Sequence, residues 1–314
     1  MKKKQTKTTY RIPNWNNYNK ALINRGSLTI WIDGDTRKAW KNSHRSANRG
    51  APRLYTDWAI LIMVTLMEVY HLPLRQTQGF LLSIVALASL DLPVPHYTTL
   101  CRRRQTLEVC LPRQSAERSL HIVVDSTGLK IFGEGEWKVR QHGYSKRRTW
   151  RTLHIGVNEA TNEIVAAVVT TNNISDNAVI EDLLDQVEEE IEQVSGDGSY
   201  DKRNCYEAIR KRKAKAAIPP RKNAKIWRHG NSKQERMSRD ENLRRIRKVG
   251  RKQWKKEAKY HRRSLAETGI YRLKTIFGDR VSARKFEGQA VQMLVRCAAL
   301  NKMTELGMPD SYTI

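Results

Sequence analysis

Cysteine, acidic residues and long apolar runs are all scarce in this 314-residue chain, and each scarcity argues against a class of protein. The four cysteines, Cys101, Cys110, Cys205 and Cys297, lie far apart, with no C-x-x-C and no histidine pair at ligand spacing. That speaks against a structural zinc site and a disulfide framework, and fits reduced thiols packed in a cytoplasmic protein. The most apolar stretches, 58–69 and 79–90, are too short to span a bilayer, and Glu68 interrupts the first. Met1-Lys2-Lys3-Lys4 is basic, but residues 5–10 supply no apolar segment of the kind a signal peptide needs. A soluble protein with no membrane partner is expected.

The shortage of acid has the largest consequence. Asp and Glu number 32 against 58 Lys and Arg, a formal net charge of +26. A hydrophobic content of 39% can fill a core, so the chain is not a disordered basic tail. Basic side chains that neutralise phosphates release condensed counterions, so this balance fits a nucleic-acid partner. The charge is also uneven: residues 202–263 hold 25 Lys or Arg against Glu207, Glu235, Asp240, Glu241 and Glu257, which is +20 of the total. That stretch reads as an electrostatic funnel or as a basic arm that orders on binding.

Residues 1–50 are polar and basic, and read as a largely irregular arm with a short strand at 28–32. Residues 51–118 read as a helical unit. Trp58, Leu61, Ile62, Thr65, Leu66 and Val69 form one apolar stripe, and Pro73 opens a second helix over 74–90. Pro93 and Pro95 stop it, and Thr98 or Thr99 can cap a third helix over 99–108 that carries Arg102, Arg103 and Arg104. This arrangement resembles a helix-turn-helix, making the three arginines candidate DNA contacts; a plain three-helix bundle with a basic face is the alternative.

After a linker at 112–118 the pattern turns to strands, at 121–125, 151–157 and 164–170. A long helix is predicted from 176 or 177 through Ile191, then a short strand at 193–194, a helix over 202–213 capped by Asp201, and a strand over 214–218. The order β-β-β-α-β-α-β matches a ribonuclease-H-like fold. The expected class is therefore α/β: a mixed-sheet core over 119–314, containing the basic segment 221–256, preceded by a mainly helical DNA-binding unit. Asp125 is placed at the end of the first strand, and Asp197 just after the fourth. Those two strands adjoin in a sheet of this order, so the acids should meet in its open crevice.

A third acid stands in Tyr260-x2-Arg263-x3-Glu267-x6-Lys274. At about 100° per helical residue, these four fall on one stripe roughly 60° wide. A carboxylate flanked by two cations and a phenol suits a metal ion beside a phosphate. An i, i+4 ion pair of Arg263 with Glu267 on an ordinary amphipathic helix is the plainer reading. Three converging carboxylates repel one another, and two divalent ions, Mg2+ or Mn2+, would answer that repulsion. Asp201 and Glu257 are rival acids, the first read as a helix cap and the second lying off the stripe. Glu134 and Glu136 lie in a Gly-rich loop after the first strand, within reach of a metal there. Trp137 and Trp150 are candidates to stack an unpaired base, with core packing as the alternative.

Together with His121-Ile-Val-Val-Asp-Ser-Thr-Gly-Leu-Lys130, Trp150-Arg-Thr-Leu-His154 and Asp197-Gly-Ser-Tyr-Asp201, these motifs resemble the bacterial DDE transposases encoded by insertion sequences. More narrowly, the chain is similar to the insertion-sequence-5 family and its subgroup containing insertion sequence 903. The resemblance spans almost the whole chain and is densest after residue 120; residues 221–256 align to no motif. It implies Asp125, Asp197 and Glu267 as catalytic ligands of two Mg2+ or Mn2+ ions, with Tyr260, Arg263 and Lys274 as accessory residues that hold DNA. It implies binding of the terminal inverted repeats in double-stranded DNA, hydrolysis at the element ends to free a 3′-OH, and joining of that end to target DNA. Two ends cut together imply at least a homodimer on DNA, associated with the bacterial nucleoid. Two other functions stay open: a regulator that binds DNA without cutting it, and a nuclease that cuts without joining.

Overall fold

The computed structural model describes residues 10–32, 39–42, 53–112, 119–131, 150–228 and 237–313. A two-residue strand β1 (Tyr10–Arg11) and a helix α1 (Trp15–Asn24) open the described chain. The arm predicted to be largely irregular thus contains a helix, and its predicted strand at 28–32 is a 3-10 turn, Leu28–Ile30. The reason lies at the other end of the sequence. Asn14 Nδ2 donates to the Met308 carbonyl at 3.0 Å, and the Asp310 amide donates back to Asn14 Oδ1 at 2.9 Å. Strand β1 itself pairs antiparallel with a second two-residue strand, Tyr312–Thr313.

Three helices follow: α2 (Asp57–Val69), α3 (Leu74–Leu87) and α4 (Tyr97–Arg103). The Thr56 hydroxyl accepts from the Ala59 amide at 3.1 Å and Asp57 sits in the first turn, so both hydrogen bonding and the helix dipole favour a start there. Helix α4 starts two residues earlier than predicted, because the His96 ring, rather than a threonine hydroxyl, accepts from the Thr98 amide at 3.4 Å. It ends at Arg103 and tightens into a 3-10 turn over Arg104–Thr106. Almost every face of α2 is apolar and buried, since Ile60, Met63 and Leu66 share one cluster with Leu81 and Leu100 on one side and with Val291 and Val295 on the other.

The longer strands form one mixed sheet. β2 (Leu120–Ile131), β3 (Trp150–Asn158) and β4 (Ile164–Thr171) run antiparallel, while β5 (Ile191–Ser195) and β6 (Lys215–Ala217) run parallel to β2, in the order β4-β3-β2-β5-β6. Helices α5 (Ile180–Asp185) and α6 (Arg203–Lys211) connect the later strands. Helices α7 (Ser238–Val249) and α8 (Arg251–Glu257), divided by Gly250 at φ 83°, carry the basic run. Then come α9 (Ser264–Phe277), β7 (Arg280–Val281), which pairs with β2, and α10 (Phe286–Glu305) before β8 (Tyr312–Thr313), the partner of β1.

Both faces of the sheet are covered, and side-chain alternation in β2 shows it: Ile122 and Val124 pack with Leu183, Tyr206 and Ile209, whereas Val123 packs with Leu273, Phe277 and Cys297. The long helix predicted over 176–191 is instead a 3-10 turn, Asp176–Ala178, and the short α5. Ile191 leaves the helical pattern because it opens β5 and pairs there with Leu120 of β2. Among the described residues, no single helix is long and apolar enough to cross a membrane.

Candidate active site

Register places the first two acids. In the parallel pair β2–β5, Val123 lies opposite Ser195. Asp125 stands two residues beyond that pair on β2, and Asp197 two residues beyond it in the turn after β5. Neighbouring strands are about 5 Å apart, so the two acids come near enough for the charge of Asp197 to be felt by Asp125. Asp125 does not end its strand: β2 continues to Ile131, held by β3 along its length and by β7 at the far end. Asp197 lies in the turn after β5, where its Oδ1 accepts the Ser199 amide at 2.8 Å and the Ser199 hydroxyl. Gly196 makes that turn possible, since a Cβ there would stand 2.9 Å from the Tyr200 ring and 3.0 Å from Val124 Cγ2.

Glu267 comes from the first turn of α9. The stretch from Tyr260 to Lys274 is not wound as one α-helix. Lys259 adopts a left-handed conformation at φ 50°, Tyr260–Arg263 forms a 3-10 turn, and α9 starts only at Ser264. Glu267 and Lys274 alone share a helix. Arg263 nevertheless reaches both elements: one guanidinium nitrogen hydrogen-bonds Glu267, and another lies 3.7 Å from Asp125. The i, i+4 pair of the plainer reading is therefore present, and the contact to Asp125 comes in addition. Arg262 pairs with Glu159 on the turn after β3, fastening the Tyr260–Arg263 turn to the sheet.

The electrostatics link the three acids. Burial pushes the Asp125 carboxyl above the usual range, and the negative charges of Asp197 and Glu267 push the same way, against the Ser126 amide and Arg263. Burial also raises the Tyr260 phenol, which feels the same three carboxylates. A fourth acid, Asp176, belongs to this neighbourhood. The His154 ring beside it holds it below the usual range, Nδ1 to Oδ1 being 3.4 Å, with Ser126 and Ser199 adding to the effect. Ser199 is 3.3 Å from Asp176 while also bonded to Asp197, so one hydroxyl couples the two acids. The sequence shows Asp176 only as a helix start; no local spacing signals its role. Beneath the acids the Tyr200 hydroxyl is buried without a partner, its phenol pushed up by burial and by Asp176, Asp125 and Asp197.

These donors are hard oxygens in a shared negative field beside an unsatisfied buried hydroxyl, and that chemistry fits a divalent cation such as Mg2+ or Mn2+. As the side chains stand, no group of three His, Cys, Asp or Glu residues among those described is gathered closely enough to hold an ion. Arg263 supplies the counter-charge instead.

The remaining candidates are spread out. Lys274 makes no ion pair with a described residue. Trp150 opens β3 with Lys130 Nζ 5.8 Å from its ring centroid; Trp137, Glu134 and Glu136 lie outside the described residues. Arg102 is exposed and bonds the Thr98 carbonyl, Arg103 pairs with Asp57 at 2.5 Å, and Arg104 is buried. Asp201 does not cap a helix: it is buried, 2.7 Å from Arg239, whose guanidinium lies 3.8 Å above the Trp227 ring. Glu257 pairs with Arg245 at 2.8 Å.

A mixed sheet of this strand order, covered on both faces and preceded by helices, defines the ribonuclease-H-like α/β class. Residues 117–302, more than half of the chain, match a family model described as Transposase DDE domain, and residues 23–134 match a second model of the same description. The chain belongs to the DDE transposase family, whose action on DNA depends on divalent metal.

Proposed function

We propose that this chain is the transposase of an insertion sequence of the insertion-sequence-5 family, in or near the subgroup containing insertion sequence 903, with Asp125, Asp197 and Glu267 as its catalytic acids. The observation that supports the reading is the nearness of Asp125 on β2 to Asp197 in the turn after the adjoining parallel strand β5, with Arg263 bonded to Glu267 and in contact with Asp125. Those three carboxylates would hold two Mg2+ or Mn2+ ions per site, which when bound activate the attacking oxygen and stabilise the leaving one. Asp176, through Ser199, keeps Asp197 turned toward the crevice. Arg263, which reaches both Glu267 and Asp125, would hold a phosphate beside the scissile bond, and Lys274 and the Tyr260 phenol would serve the same strand.

The proposed partners are the terminal inverted repeats and target DNA, both double-stranded. The arm 1–50 and the helical unit 51–118 serve recognition, residues 119–314 serve chemistry, and at least two copies meet on paired ends. The test is a supercoiled plasmid carrying the gene with its own flanking DNA. Mg2+-dependent cutting at the element ends and joined products, both lost in Asp125→Ala, are expected. Cutting without joining would identify a nuclease, and binding without cutting a regulator.

A further inference from the structure

A cleft of about 560 Å³, lined by none of the three acids, opens between the helical part of the chain and its C-terminal part. One wall carries Arg75, Arg102 and Arg104; the other is the turn 282–285, with Arg284 and Lys285. Among the described residues, five cations line it and no carboxylate does. None of the five is in an ion pair with a described residue. Like charges gathered in this way repel one another unless an anion joins them.

Arg104 gives the strongest indication. It is 8% exposed, and its Nε is buried with no hydrogen-bond partner. A buried guanidinium with an idle donor is costly, and a phosphate oxygen is the acceptor its geometry suits. The carboxylate of Glu68, in the adjoining cavity, is already taken by Arg296 at 2.7 Å.

The facing wall is built in advance. Gln292 Oε1 accepts the amides of Ser282 at 2.9 Å and Ala283 at 3.2 Å, and Gln289 Nε2 donates to the Ala283 carbonyl at 2.9 Å. Both glutamines are buried, and Gln289 is held in turn by Arg151 of β3 at 2.6 Å. The first turn of α10 meets the cleft at Lys285 and Gly288, and no side chain caps it. Its free amides add to the positive field. The Arg75 guanidinium covers the Tyr97 ring at 5.0 Å, which leaves that aromatic face closed to a base. Cations on two walls without an open stacking surface suit a sugar-phosphate backbone better than a free nucleotide.

We infer that this cleft is a phosphate-binding site that clamps the backbone of duplex DNA between the helical and catalytic parts of the chain. The inference rests on the proposed function only in taking DNA as the polyanion. The test is fluorescence anisotropy of a random-sequence duplex of about 30 base pairs with the full chain, in EDTA so that no chemistry occurs, across a range of KCl. Arg75 and Arg284 are exposed and outside the proposed catalytic set. The double variant Arg75→Gln/Arg284→Gln should lower the slope of log affinity against log salt by about 2, at about 0.9 per phosphate contact, and weaken binding about tenfold or more near 0.1 M salt. Arg104→Gln should weaken binding without lowering the melting temperature, because it removes an unsatisfied group. An unchanged slope in the double variant, or an Arg104→Gln protein that melts earlier but binds as before, overturns the inference. Mg2+-dependent cutting that persists alongside an unchanged slope rejects the cleft and leaves the transposase reading standing. A wild-type protein that binds no duplex rejects both.

Discussion

Arg263 lies 3.7 Å from the Asp125 carboxylate, reaching back to a strand from the turn that precedes α9. It is the counter-charge of these acids, so a cation binding them must compete with it. Arg263→Gln should therefore raise affinity for Mn2+ about tenfold, some ~1.4 kcal/mol, while slowing DNA cutting for want of a phosphate contact. Mn2+ titration followed by electron paramagnetic resonance checks this; weaker binding in the variant would mean that Arg263 orders the acids instead of competing for them.

Asp176 makes a prediction with a definite sign in pH. Its folded carboxyl titrates below the ordinary value of 3.8, chiefly because of His154. The stabilisation is thus fully present above 3.8 and is lost as pH falls through the lower folded value. Asp176→Asn should cost about 1 kcal/mol at neutral pH, the group being part-exposed, and the gap from wild type should close in acid. Denaturant melts at several pH values would show it; a gap that persists at low pH would point to packing instead.

Gly196 is a point where a single methyl group disturbs the site. Gly196→Ala brings a Cβ against Tyr200 and Val124, and relief of that contact moves the Asp197 turn. A loss of about 2 kcal/mol in stability is expected, with cutting reduced far more than DNA binding. Equal loss of both activities would indicate general unfolding.

Glu68 and Arg296 join α2 to α10 through a buried pair at 2.7 Å, each side chain 5% exposed. Removing one partner strands the other, so Glu68→Ala should destabilise the whole chain by about 3 kcal/mol or more. The double change Glu68→Met/Arg296→Met should recover most of that in the same melting experiment. A second, separate melting transition in Glu68→Ala would show that the helical part folds independently of the sheet.

Much of this molecule was legible without coordinates, because strand alternation and helical periodicity are local properties. The runs around Val123, Ile155 and Ala166 announced the strands, and their order announced the sheet. Helix limits were less legible. The Tyr260–Lys274 stretch starts as a 3-10 turn after a left-handed Lys259 and becomes α-helical only at Ser264, and Ile191 left its helix for a distant partner, Leu120.

What only the tertiary structure decided is pairing. Asp201 looked like a helix cap until Arg239 met it from 38 residues away, and Asp176 looked like one until Ser199 and His154 reached it. Arg104 read as an exposed DNA contact, yet it is buried with an idle donor. Residue type and spacing determine which chemistry a segment can offer; whether a charge is spent inside the protein or left for a ligand depends on partners that chain order does not reveal.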